Sequence, residues 1–99
     1  MELSKKQEGV LEIIDDLYQI SYRDSVLNLR PKEYDLLKVL IENGDKLLSK
    51  SDLIKKVWPD KDIGSRVVDT NISRLRSELK RTGHPGILVV SKRGYRLIE

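Results

Sequence analysis

The stretch Gly64–Arg81, GSRVVDTNISRLRSELKR, decides how the rest of the chain is read. At about 100° per residue, Val68, Ile72, Leu75 and Leu79 fall on one side of a helix, a stripe wide enough to dock on a small core. The opposite side gathers Arg66, Thr70, Ser73, Arg74, Ser77 and Arg81, with Asp69 and Arg76 on one flank and Asn71 and Glu78 on the other. That outer face offers short hydroxyls and guanidinium forks and no carboxylate. Arginine's planar fork matches guanine O6/N7 and phosphate oxygens, while Thr and Ser can touch a thymine methyl or hydrogen-bond at base edges. A merely solvated helix face could look the same in isolation, so the flanking sequence has to decide.

Ninety-nine residues make one domain with room for a modest core and a binding surface. No apolar run approaches a membrane span, and no segment reads as a signal peptide, so no membrane contact is expected from this segment. Without cysteine there is no disulfide, thiolate nucleophile or sulfur-ligated metal, and a cytoplasmic location is expected. The single histidine, His84, sits in the turn-like run Gly83-His84-Pro85-Gly86 without metal-ligating neighbours and reads as a loop residue. The net charge of +3 is unevenly spread. Residues 1–63 hold 11 Lys/Arg against 13 Asp/Glu, whereas residues 64–99 hold 8 against 3. The basic half is the one expected to meet a polyanion.

Residues 1–9 lack periodicity and read as a flexible tether, leaving 10–99 as the folded domain. Val10–Ile14, Leu17–Tyr22 and Val26–Leu29 read as three short strands punctuated by Asp15-Asp16 and Arg23-Asp24, an antiparallel meander. In the second, Leu17, Gln19 and Ser21 alternate with Tyr18, Ile20 and Tyr22. Pro31 suits a first helical turn, Glu33 complements the positive end of the helix dipole, and Gly44 suits a left-handed stop, so a helix is expected from Pro31 to about Asn43. It should bury Tyr34, Leu37, Leu40 and Ile41, with Leu36 and Val39 beside them. Ser49 and Asp52 have capping-box spacing, and Leu48 and Leu53 hydrophobic-staple spacing, so a second helix should run from Ser49 to Trp58 and stop at Pro59. Ser65 is the expected cap of the third. Ile87–Val90 and Tyr95–Ile98 flank the short basic turn Ser91-Lys92-Arg93-Gly94 as a hairpin.

A helix–loop–helix followed by a basic-tipped hairpin is a winged helix-turn-helix. The fold class is therefore α+β, three helices with an N-terminal antiparallel sheet and a C-terminal β-hairpin wing. The recognition helix, 66–81, would enter a major groove, and the wing, 91–94, would meet the backbone or minor groove through Lys92 and Arg93.

Four runs in order, Leu29–Leu37 (LRPKEYDLL), Leu48–Trp58 (LSKSDLIKKVW), Arg66–Arg76 (RVVDTNISRLR) and Arg93–Leu97 (RGYRL), resemble the OmpR/PhoB-type transcriptional-regulator DNA-binding domain. The resemblance covers about residues 10–98. It implies sequence-specific double-stranded DNA binding in transcriptional regulation, as the effector domain of a two-component response regulator. Arg74 matches the main base-reading position, with Thr70 and Ser73 on the same face. Trp58, Arg66, Arg76 and Tyr95 match phosphate contacts. Asp69 matches an acidic position expected to partner an arginine. Many members have Arg-Gly-x-Gly-Tyr in the wing; the first Arg of that pattern is Ser91 here, and the Lys-Arg-Gly-Tyr-Arg-Leu ending is similar to the ToxR/CadC branch. Ser73 stands where many members are basic, so a phosphate contact there would be weaker.

The competing reading is a protein-interaction module that keeps the fold. It rests on the acidic first half and on Asp60, Lys61 and Asp62, in the loop where the family can touch RNA polymerase. The resemblance also implies a head-to-tail dimer on DNA. An enzyme is not expected, because no phosphate-cradling glycine loop is present and His84 has no partnered nucleophile; no cofactor or metal is expected either. A receiver is a full domain that 99 residues cannot hold, so an excised effector or part of a longer regulator is expected.

Overall fold

The computed structural model describes residues 10–60 and 62–98; the expected tether at 1–9, together with Lys61 and Glu99, lies outside them. The described chain runs through β1 (Leu11–Ile14), a 3-10 turn (Asp15–Leu17), β2 (Gln19–Tyr22), β3 (Ser25–Val26), α1 (Pro31–Glu42), α2 (Lys50–Val57), α3 (Ser65–Arg81), β4 (Ile87–Val90) and β5 (Gly94–Leu97). The N-terminal strands form an antiparallel sheet in the order β1-β2-β3, and β4 and β5 form a separate hairpin. This is the winged helix-turn-helix expected from the sequence.

The N-terminal sheet is smaller than its apolar runs imply. Leu17 belongs to the 3-10 turn and Tyr18 adopts a left-handed conformation with φ 52°, so the second strand begins only at Gln19. The expected alternation also fails beyond it, since Ile20, Ser21 and Tyr22 are all buried. The third strand spans only Ser25 and Val26; Leu27 still gives its N–H to the Ile20 carbonyl at 2.9 Å while its side chain is buried in the core. Arg23 and Asp24 make the tight turn between them, both with positive φ. That conformation matches the right-handed twist of the strands it joins. Asp15 anchors the sheet to α1, accepting hydrogen bonds from Tyr34 Oη at 2.8 Å and pairing with Lys38 Nζ at 3.0 Å.

Helix α1 starts at Pro31, where the missing N–H costs nothing, and Glu33 Oε1 accepts the Arg30 N–H at 2.9 Å. It ends at Glu42, with Gly44 left-handed beyond it at φ 55°. Tyr34, Leu37 and Leu40 are buried as expected and Leu36 joins them, while Ile41 is only half-buried. At α2 the capping box is complete: Asp52 N–H donates to Ser49 Oγ at 3.0 Å and Ser49 N–H to Asp52 Oδ2 at 3.2 Å. The staple residues Leu48 and Leu53 are buried, and the helix ends at Val57 with Trp58 as its C-cap. Lys32 Nζ donates to the freed Val57 carbonyl at 2.9 Å, tying α1 to that end. The cap of α3 is Gly64 rather than Ser65, which is already the first helical residue and makes no side-chain capping bond.

Val68, Ile72, Leu75 and Leu79 are at most 3% exposed and pack with Leu36, Leu37, Leu40, Leu53 and Val57 into one core. At about 25 cal/mol per Å² of apolar surface, burying this stripe is the main force that fixes the roll of α3, and with it the direction of its outer face. His84 is a loop residue but a buried one, 4% exposed. Its Nδ1 accepts the Gly86 N–H at 2.8 Å and its ring stands edge-on to Tyr22 at 4.9 Å, so it joins the turn after α3 to the N-terminal sheet.

Candidate nucleic-acid interface

With its apolar stripe buried, α3 exposes Arg66, Thr70, Ser73, Arg74, Arg76 and Ser77. Arg74 does not stand free. Its Nη1 lies 3.9 Å from Glu33 Oε2, with the Arg74 side chain 48% exposed and that of Glu33 only 6%. Glu33 Oε2 is buried and has no hydrogen-bond partner. A separation of 3.9 Å is a charge contact rather than a hydrogen bond, so the fork is drawn toward α1 without being tied down. The sequence reading assigned Glu33 to the helix dipole and missed this second contact. Arg74 and Glu33 are far apart in sequence, and only the packing of α1 on α3 brings them together.

Arg81 lies exposed on the outer face as expected, but its guanidinium is already engaged. Its Nη2 and Nε meet Glu78 at 2.6 and 3.1 Å, and Nη2 reaches the Val26 carbonyl at 3.4 Å. Glu78 Oε2 also accepts the Asn28 N–H at 2.6 Å, and hydrogen bonding from Arg81, foremost, holds its carboxyl below the usual range. The i,i+3 spacing alone makes Glu78 a neighbour of Arg81, whereas the Val26 carbonyl of β3 is a partner that helical projection does not reveal.

The wing is fastened to the helices at its base. Leu48 N–H donates to the Tyr95 carbonyl at 2.9 Å and Tyr95 N–H to the Leu48 carbonyl at 2.8 Å, joining β5 to the start of α2. Gly94 makes this approach possible: its φ is 145°, and a Cβ there would stand 2.1 Å from the Leu48 carbonyl oxygen. At the tip, Lys92 takes φ 62° and both Lys92 and Arg93 are exposed.

Tyr95, expected to contact phosphate, already has a partner within the chain. It is buried, and its hydroxyl donates to Asp69 Oδ1 at 2.7 Å. Burial, reinforced by Asp69, pushes the phenol up to about 12. Asp69 also accepts Lys50 Nζ at 3.0 Å, so its partners are a tyrosine and a lysine instead of the expected arginine. The Tyr95 hydroxyl first, then Lys50, holds its carboxyl below the ordinary value. This three-way joint links α2, α3 and the wing, and it borders a groove of about 550 Å³ between Lys50, Asp69 and the turn Ser91–Gly94. Lys50 was not singled out from the sequence, where it is one of several lysines on a short helix.

Trp58, also expected at phosphate, is buried at the end of α2 with 5% of its surface exposed. Of the expected site residues, Arg66, Thr70, Ser73, Arg74, Arg76, Lys92 and Arg93 are exposed, while Trp58 and Tyr95 are buried. Among the described residues no cluster of His, Cys, Asp or Glu could hold a metal ion, and no helix is long and apolar enough to cross a membrane.

Comparisons agree with this geometry. The family model described as "Transcriptional regulatory protein, C terminal" matches residues 24–97. The transcriptional regulatory protein SrrA of Staphylococcus aureus (strain NCTC 8325 / PS 47) is 39% identical over 72 residues, covering 72% of this chain and 30% of that protein. The chain therefore spans less than a third of the curated relative it matches. The DNA-binding domain of the response regulator AdeR, solved in complex with an intercistronic region, superposes with a TM-score of 0.81 at 27% identity, covering 90% of this chain and 94% of that one. The DNA-binding domain of Escherichia coli CadC gives a TM-score of 0.75 at 32% identity, covering 93% and 94%.

Proposed function

Because this chain belongs to the family of transcriptional regulatory protein C-terminal domains, we propose that it binds double-stranded DNA sequence-specifically in the control of transcription. The observation that supports the reading most is the joint of Tyr95, Asp69 and Lys50, which holds the wing beside the exposed hydroxyl and guanidinium face of α3. One duplex can then meet the helix in its major groove and Lys92 and Arg93 on its backbone or minor groove. Arg74 reads guanine, and Thr70 and Ser73 offer base-edge contacts. Arg66 and Arg76 meet phosphates, and Trp58 at the end of α2 is the further phosphate position the family implies. Tyr95 serves by setting the wing's position, since its hydroxyl proton is already given to Asp69. The response regulators and SrrA among the relatives favour a two-component effector acting in the cytoplasm. Asp60 and Asp62, both exposed, and Lys61, outside the described residues, form the loop assigned to RNA polymerase contact. A head-to-tail dimer on DNA is the arrangement the family implies.

The test is a selection from random duplexes with the 99-residue chain, followed by anisotropy titrations over a range of salt. Arg74→Ala should cost about 1–3 kcal/mol on the selected site and relax base preference at one position. Arg66→Ala should weaken all sequences evenly and lower the salt slope by about one. A salt slope and base preference untouched by both variants would refute the proposal.

A further inference from the structure

We propose that Val67 reads the 5-methyl group of a thymine, an assignment that rests on the DNA-binding reading above. Val67 is 36% exposed on a helix face that is otherwise polar. It belongs neither to the hydrophobic core nor to the apolar residues packed against that core. An isolated surface valine needs no explanation by itself; the position of this one on α3 is what matters. At about 100° per residue Val67 projects roughly 20° from Arg74 and 60° from Thr70, so its methyls share the stripe that carries the guanidinium and the hydroxyl. Placed third in α3, it stands in the N-terminal turn, the part of a recognition helix that approaches base edges.

Two further features prepare it for this role. β-branching restricts χ1 within a helix, so the methyls are presented in a nearly fixed direction at little entropic cost. Asn71, one turn on, gives its amide N–H to the Val67 carbonyl at 2.9 Å, which keeps that donor along the helix rather than over the valine. The major-groove feature that an exposed isopropyl group complements best is the thymine methyl. The spacing is also defined. Seven residues at about 1.5 Å each put Val67 roughly 10 Å from Arg74 along the helix, or about three base-pair steps of 3.4 Å. With α3 lying along the duplex axis in the groove, the thymine read by Val67 lies two to four base pairs from the guanine read by Arg74.

The experiment replaces each thymine of the selected duplex with deoxyuridine, one at a time, which removes the methyl and nothing else. The parent chain, Val67→Ala and Val67→Thr are titrated against every duplex, with thermal midpoints confirming that all three are folded. At one thymine the parent should lose about fourfold in affinity, the value of roughly one buried methyl. Val67→Ala should lose a similar factor on the thymine duplex and no more on the uracil one, with Val67→Thr intermediate. The position should fall two to four base pairs from the one at which Arg74→Ala relaxes preference. A selected site at which no thymine couples to Val67 overturns this inference alone. Failure of the parent to select any duplex overturns it together with the DNA-binding proposal.

Discussion

Gly94→Ala is the substitution that asks most of the wing's attachment. The new Cβ would lie 2.1 Å from the Leu48 carbonyl oxygen, 2.6 Å from its carbon and 3.0 Å from Ser49 Cα, all backbone atoms that cannot rotate away. Relief requires β5 to lift from the start of α2. That breaks the reciprocal pair of hydrogen bonds between Leu48 and Tyr95, worth about 1 kcal/mol each. Alanine at φ 145° adds backbone strain of about 1–2 kcal/mol. The expected loss is about 3–4 kcal/mol out of a total stability on the order of 5–15 kcal/mol for a domain of this size. Urea denaturation followed by far-ultraviolet circular dichroism reads it directly, as a lower midpoint at unchanged slope. Gly83→Ala is the control: its φ is also positive, at 93°, but nothing lies within 4 Å of the added Cβ, so it should lose only the strain. A Gly94→Ala variant no less stable than Gly83→Ala would refute the claim that close backbone approach holds the wing.

Three other outcomes are expected. Tyr95's phenol is raised to about 12 from an ordinary 10, so the stability it contributes is fully present below pH 10 and is lost as pH rises from 10 to 12. Tyr95→Phe should flatten that part of an alkaline denaturation profile, leaving the share that belongs to Tyr34, whose phenol is also raised by burial and by Asp15. Burial holds His84 below its ordinary 6.5, so its contribution is present above that pH and declines as pH falls below it; His84→Gln should remove this upper limb of acid destabilisation in a urea series at stepped pH, and an unchanged limb would contradict it. Arg74→Ala should lower stability by about 1 kcal/mol because it leaves the buried Glu33 carboxyl without its nearest cation, and adding Glu33→Gln should recover part of the loss. A strictly additive double variant, measured by the same denaturation, would mean the two side chains do not interact.

The legible parts of the fold were those governed by local chemistry. Ser49 with Asp52, Pro31, and Gly44 acted as expected because capping, ring closure and left-handed backbone depend on neighbours within one turn. The α3 stripe was legible for a related reason: helical period alone puts Val68, Ile72, Leu75 and Leu79 on one side. The N-terminal runs were over-read, because strand propensity cannot distinguish Leu17 and Tyr18 in a turn from the same residues in a ladder. Ser65 was mistaken for a cap by its residue type, although Gly64 supplies the extended backbone that precedes the helix.

For the interface, the sequence by itself determined which side of α3 faces outward and which cationic and hydroxyl groups that side carries, since a period of 3.6 residues and the burial of apolar surface leave no other arrangement. Only the tertiary structure decided which of those groups are free. Arg81 is engaged by Glu78 within the helix and by the Val26 carbonyl of β3, Tyr95 by Asp69, and Arg74 is drawn toward Glu33, the last two and the Val26 contact set by how separate elements pack. A guanidinium or hydroxyl is available to a partner only when no nearer acceptor or donor has claimed it, and that competition is settled in three dimensions.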